Sequence, residues 1–355
     1  MELGEEVSGP IELGYGAAVA VAADKLAVGA PLNETGTVFS YVQNGRIWEQ
    51  LAQNAGPNAG SQFGFSLDMN TKNSLIIGAP EANVQGRELA VGSVYYFTFQ
   101  PNTESWELQG DRIQGGRFAE NVNEKFGEAV ALSSSTVRAA VGAPQHKSGA
   151  GRVYMFELTG GAWAPMDDQE LVGADGAMLG SAVDMSEDGT VVAAGSPGTS
   201  SFQIYEWIQG QWVQTLDEKG NANTGLGTSI AVLSNKYVAV GSPGVGGTRG
   251  MIRLFEKKDG SWRNAADLQG SAGQKLGSKG LLTGSADPDP EITFGTAGGQ
   301  VRRFDYIRGN WAERFTINTV FNNLSSLAID KESDAVKLWV GNWRIDSRDL
   351  VFPSA

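Results

Sequence analysis

The chain has 355 residues with 40 acidic and 27 basic side chains, a net charge of −13, no cysteine and one histidine. That charge argues against nucleic acid or an anionic membrane as the main partner. The missing thiols exclude disulfides, zinc-thiolate sites, iron–sulfur clusters and a cysteine nucleophile, and a single histidine excludes a multi-histidine metal centre.

The acidic start, Met1-Glu2-Leu3-Gly4-Glu5-Glu6, has neither the basic nor the apolar block of a secretory leader. It resembles the segment that follows a Trp further on, Trp106-Glu107-Leu108-Gln109-Gly110, so residues 1–8 are expected to act as an outer strand. From there a pattern recurs about every 50 residues. The first copy has Leu13-Gly14 or Tyr15-Gly16, then Gly29-Ala30-Pro31, an Asn44-Gly45 turn and Trp48. The second has Phe63-Gly64, the apolar run Ser74–Ile77, Gly78-Ala79-Pro80 and Trp106. The third has Phe126-Gly127, Ala129–Leu132, Gly142-Ala143-Pro144, the alternating Arg152–Glu157, a Gly160-Gly161 turn and Trp163. Leu179-Gly180, Gly195-Ser196-Pro197 and Trp212 make the fourth; Leu226-Gly227, Gly241-Ser242-Pro243, Asp259-Gly260 and Trp262 the fifth. The sixth is weaker, with Leu276-Gly277, Gly295-Thr296-Ala297 and Trp311, and Leu324-Ser325 with Gly341-Asn342-Trp343 is a degenerate seventh.

Each copy reads as four strands. One follows the aromatic-Gly or Leu-Gly step, one runs into the tripeptide, one alternates apolar and polar, and one starts at the Trp. Asn-Gly, Gly-Gly and Asp-Gly dipeptides favour the hairpin turns that join the third to the fourth. Helical periodicity and long apolar spans are absent. The expected fold is all-β: a seven-bladed β-propeller of four-stranded antiparallel blades forming one domain over 1–355. Its repeats lie near 13–55, 63–112, 126–172, 179–217, 226–268, 276–313 and 324–352. Residues 1–8 close the ring by joining the last blade, so that no sheet edge is left open there.

The aromatic-Gly step followed by Gly-Ala-Pro resembles the FG-GAP repeat of integrin α-subunit propellers and of their bacterial and protist relatives, over nearly the whole chain. The resemblance implies an extracellular or cell-surface propeller used for adhesion or ligand binding. Many such repeats carry an Asp-x-Asp-x-Asp-Gly calcium loop between the first two strands, and here the chain departs from the family. Oxygen-rich side chains persist in Asp184-Met185-Ser186-Glu187-Asp188-Gly189 and in Asp287-Pro288-Asp289-Pro290-Glu291; elsewhere, as at Asp68-Met69-Asn70, the loop is degenerate. A calcium ion needs several oxygens, so no metal site and no cofactor are expected, calcium at these two loops being the one alternative.

Six Trp residues at one place in the repeat are expected to pack between blades rather than to stack on sugars. The tripeptide is expected to let blades approach closely, with Pro ending the strand. His146, two residues past Pro144, is expected in an exposed loop; its other reading is a general base with a Tyr or Lys147 as partner, as in some polysaccharide lyases. Connections after second and fourth strands share one face of such a ring. Two of them are long, Glu81 to Gly92 and Gly110 to Lys125. With the loop after Pro144 they place Arg87, Glu88, Arg112, Arg117, Phe118, Asn121, Asn123, His146 and Lys147 together, a basic cluster on an acidic protein suited to a carboxylate or sulfate. Trp343 with Arg344 is a second candidate contact for glycan or protein, with packing at the ring closure as its other reading.

No convergent acid, base and metal is evident, so no catalytic residues are expected and the chain is not expected to be an enzyme. The expected function is a binding or adhesion module for a protein or glycan, without membrane insertion. The alternatives are a structural subunit of a larger complex and, further off, a polysaccharide lyase or hydrolase.

Overall fold

Each repeat folds in the strand order read from its sequence, and the glycine pairs of its two motifs explain why. A computed structural model describes residues 2–7, 9, 13–32, 34–45, 47–83, 90–115, 123–135, 137–166, 171–280, 282–285, 290–307, 310–318, 324, 326–330, 337–341 and 347–351. Side chains are described throughout these except at 2–6, 284–285, 329–330, 337–341 and 347–351.

Blade 1 pairs Ala18–Ala22, Lys25–Ala30, Thr37–Asn44 and Ile47–Ala55 in sequential antiparallel order. Blades 4, 5 and 6 repeat it, with inner strands Val183–Met185, Ile230–Val232 and Leu282–Ser285 and outer strands Gln211–Lys219, Ser261–Gln269 and Asn310–Asn318. Blades 2 and 3 begin with Ser66–Asn70 and Ala129–Leu132, but their outer strand is split. Ser105–Leu108 and Ile113–Gln114 both pair with Ser93–Gln100, and Ala162–Pro165 and Leu171–Val172 both pair with Arg152–Thr159.

The molecule is thus an all-β propeller of four-stranded antiparallel blades. Six blades are built from consecutive strands, one fewer than the seven expected. The remaining strands form a composite sheet in the order Glu2–Val7, Ser347–Val351, Lys337–Gly341, Ser326–Asp330. In it Glu2 faces Val351 and Val7 faces Ser347. No single stretch of chain carries this sheet's four-strand pattern, because its strands come from both ends, and most of its side chains lie outside the described ones.

Burial falls from the inside of the ring outward. The second strands Ser74–Ala79, Arg138–Ala143 and Val191–Ser196 are buried along their whole length, whereas outer strands such as Gln211–Lys219 are mostly exposed. The cores lie between blades. Ala20, Ala22 and Val38 of blade 1 pack with Phe63, Leu75, Ile77 and Trp106 of blade 2. Val191, Phe202 and Ile204 of blade 4 pack with Leu226, Val238, Phe255 and Trp262 of blade 5. Each large apolar side chain so buried contributes roughly 1.5–3 kcal/mol.

The motif residues form the clasp between blades. The Gly64, Gly127, Gly180 and Gly227 amides donate to the carbonyls of Gly78, Gly142, Gly195 and Gly241, closing each blade at 2.9–3.1 Å. Gly16 does the same to Gly29, which settles the first copy on Tyr15-Gly16. Between blades, a Cβ on Gly195 would collide with the Gly227 carbonyl, and one on Gly78 with that of Gly127. Glycine is required there by backbone packed on backbone. The aromatic or Leu before the second glycine is fully covered: Phe63, Phe126, Leu179, Leu226 and Leu276 are at most 2% exposed. Strands end at Ala79, Ala143 and Ser196, directly before Pro80, Pro144 and Pro197, which offer no amide to continue the ladder.

The repeated Trp side chains pack across blade boundaries. Trp163 meets Tyr96 of blade 2 edge to face at 5.1 Å, and Trp262 donates its Nε1–H to Glu206 of blade 4 at 2.8 Å.

Candidate functional site

Because every first strand starts at the aromatic-Gly step and every second strand ends at the tripeptide, the connections around both lie on one face. In blades 2 and 3 they are bonded to each other. The Asn123 amide donates to the Ala90 carbonyl at 2.8 Å, Gly115 to Gly92 at 3.2 Å, and Gln145 to Glu124 at 3.1 Å. Lys125 and Glu81 add an ion pair between the same two connections. Of the residues picked out in the sequence, Asn123, His146 and Lys147 are therefore brought together. Arg112 lies at the adjoining edge of blade 2, half-buried, with its guanidinium 3.5 Å from the Tyr95 hydroxyl. Arg87, Glu88, Arg117, Phe118 and Asn121 lie outside the described residues, as do Trp343 and Arg344.

His146 is corrected from an exposed loop residue to a buried one, 1% exposed. Its Nδ1 is 2.9 Å from Glu124 Oε2, and the Tyr154 hydroxyl donates to the same oxygen at 2.8 Å. Glu124 has no exposed surface, and the guanidinium of buried Arg152 lies 4.2 Å from the centre of the Tyr154 ring. The physical reason for the correction is the carboxylate. Buried carboxyl oxygens must be hydrogen-bonded, and the imidazole and phenol both contact Glu124 Oε2. Among the described residues His146 Nε2 has no hydrogen-bond partner, and the buried ring serves in this structure as an anchor, not as a base open to solvent.

The anchor carries an unusual piece of backbone. Lys147 and Ser148 have φ of 48° and 57°, and Gly149 of 96°. Left-handed conformations cost about 1–2 kcal/mol for each non-glycine residue, and such strain persists only where the surroundings hold it. Here His146 beneath and the His146 carbonyl, which accepts from Gly151 at 3.0 Å, hold it. Lys147 and Ser148 stand exposed above.

Glu124, Tyr154 and Arg152 were not picked out in the sequence, although a signal was present. Glu124 stands two residues before Phe126, where the other repeats have Ser61, Ala177, Thr224 and Gln274. His146 stands where they have Ala82, Thr199 and Val245. An ionisable pair at slots that are otherwise uncharged marks blade 3 as different.

The acidic turns have other work than metal binding. Asp184 Oδ1 accepts from the Met185 amide at 2.8 Å and Oδ2 from the Val232 amide of blade 5 at 2.6 Å. Asp68 bonds in the same way to the amides of Met69 and, in blade 3, Leu132. Each caps the free inner edge of the next blade. Asp188 accepts from Ser186, Thr190 and, across the boundary, Asn235. Burial pushes its carboxyl up, but these bonds outweigh that and hold it below the usual range. In the second loop, Glu291 is paired with Arg303, and 286–289 lie outside the described residues. With their oxygens turned to protein donors, Asp184 and Asp188 do not fit a calcium loop. Among the described residues no three His, Asp or Glu side chains are placed to hold a metal.

Scanned against protein-family models, the chain matches none.

Proposed function

We propose that this chain is a non-catalytic binding module of the FG-GAP kind, extracellular or at a cell surface, that recognises a protein or an anionic glycan through the connections of blades 2 and 3. The observation that carries the reading is the contrast in construction. Among the described residues, only these two blades have split outer strands, and between them the connections are fixed from below by the Glu124–His146–Tyr154 cluster. Rigid anchoring of exposed side chains lowers the ordering cost of binding. Lys147 and Arg112 supply cations to a face of a protein whose net charge is −13, and such attraction weakens with salt.

The test is an array of sulfated and uronic-acid glycans, with pull-down from the native source, comparing the wild type with Arg112→Glu/Lys147→Glu. The double variant is expected to keep its melting temperature and to lose at least tenfold in binding. Equal binding with the same salt dependence refutes the site.

We propose that the composite terminal sheet closes the ring between blades 6 and 1. Support comes from Ser326–Asp330, which neighbours the inner strands of both, and from Ser326, whose hydroxyl donates to the Gly16 carbonyl at 2.9 Å. Deleting residues 1–8 is then expected to lower stability by several kcal/mol, the scale of a cooperative strand and its contacts. An unchanged melting temperature would show that the sheet closes nothing.

A further inference from the structure

The repeats define what is ordinary at the entrance to the central channel, and three residues depart from it. The two positions after each aromatic-Gly or Leu-Gly glycine are Ala17-Ala18, Phe65-Ser66, Glu128-Ala129, Ser181-Ala182, Thr228-Ser229 and Ser278-Lys279. Small side chains occupy all but Phe65, Glu128 and Lys279. These come from blades 2, 3 and 6, and they meet. Lys279 Nζ lies 2.7 Å from Glu128 Oε1 and 5.5 Å from the centre of the Phe65 ring. At the same place in blades 2 and 5, Ser66 and Ser229 merely donate to the neighbouring Gly127 and Gly277 carbonyls. Lys279 instead reaches across the ring.

Behind this ion pair is a cavity of about 650 Å³, lined by the inner strands of the blades. That is within the roughly 300–1,000 Å³ of small-molecule sites. Its walls are sheet edges, so backbone N–H and C=O groups face the lumen, and a purely apolar occupant would strand them. The occupant must also open the ion pair. A ligand with one charge would leave the other partner bare at a rim where the Glu128 side chain is only 20% exposed. A ligand carrying both charges replaces both partners at once, and the flexible stem of lysine permits the swing.

We infer that the channel mouth binds a small zwitterion, a free α-amino acid with an apolar side chain. Its ammonium is taken by Glu128, its carboxylate by Lys279, and its side chain lies against Phe65. The site adjoins the blade 2–3 connections, the Glu128 amide donating to the Lys125 carbonyl at 3.0 Å, but it uses other side chains, and neither reading depends on the other.

The experiment is calorimetric titration with L-leucine, N-acetyl-L-leucine and L-leucinamide. Leucine is expected to bind one to one, and each blocked analogue at least tenfold more weakly. Glu128→Gln and Lys279→Gln should each lose at least tenfold for leucine while melting as the wild type does. The swap Glu128→Lys/Lys279→Glu restores the pair and should recover part of the binding. Absence of binding by leucine, equal binding of the blocked analogues, or full binding by either folded single variant would overturn the inference.

Discussion

Blades 4 and 5 and blades 2 and 3 solve the same packing problem with different outer layers. In blades 4 and 5 the outer strand runs unbroken over Gln211–Lys219 and Ser261–Gln269, with a bulge at the same point, opposite Ile204/Tyr205 and Leu254/Phe255. A bulge twists an outer edge and discourages pairing with other chains. Their boundary is locked by Glu206, which accepts from Trp262 at 2.8 Å and Thr215 at 2.9 Å and pairs with Lys257. In blades 2 and 3 the outer ladder is interrupted, and the buried carboxylate has moved to the loop face as Glu124. One pair uses its buried acid to fasten blade to blade. The other uses it to fasten loop to loop.

Beneath that difference the two pairs share the inner clasp, and the largest effects are expected there. Gly78→Val and Gly195→Val each drive a side chain into the backbone of the next blade. Each should lose about 3 kcal/mol or more, the upper range for overpacking, read from denaturant midpoints. A much smaller loss at Gly78 than at Gly195 would show that the clasp is not common to both pairs.

Next are the aspartates that cap the inner edges. Asp68→Ala and Asp184→Ala each leave two backbone amides without their carboxylate, at about 1–3 kcal/mol. Because the partners are amides and not calcium, EDTA should leave the melting temperature of the wild type unchanged. A chelator-induced drop matching that of Asp184→Ala would assign the acidic turn to metal after all.

The buried acid of blade 4 makes its boundary sensitive to pH. Burial raises the Glu206 carboxyl, but the bonds from Lys257, Trp262 and Thr215 outweigh it, and the group is held below its ordinary 4.5. Its contribution to stability is therefore complete above about pH 4.5 and is lost as the pH falls through the lowered value. Glu206→Gln should flatten the acid limb of the stability profile. An unchanged acid limb would mean that the blade 4–5 lock does not depend on the carboxylate.

The smallest effect is expected at the surface of blade 3. Lys147→Glu should alter stability by no more than about 0.5 kcal/mol, as exposed substitutions usually do. Glu124→Gln should raise hydrogen exchange at Gln145–Gly151, the segment that Glu124 and His146 hold, without affecting blade 5. Equal protection in the variant would remove the loop-anchoring role.

The sequence by itself determined the strand order, the clasp and the packing place of the tryptophans. Each depends on local chemistry that every repeat restates: Gly where backbone meets backbone, Pro after a strand, an aromatic or Leu to bury. The length of the connections before Gly92 and Phe126 was legible in it too. It misjudged His146, because burial of a loop residue depends on a partner, Glu124, that comes from a different connection. It left Asp68 and Asp184 as remnants of a calcium loop, because their real partners, the Leu132 and Val232 amides, belong to the next blade and carry no side-chain signature. The meeting of Phe65, Glu128 and Lys279 was equally hidden. Residues from blades 2, 3 and 6 become neighbours only when the ring turns the chain back on itself.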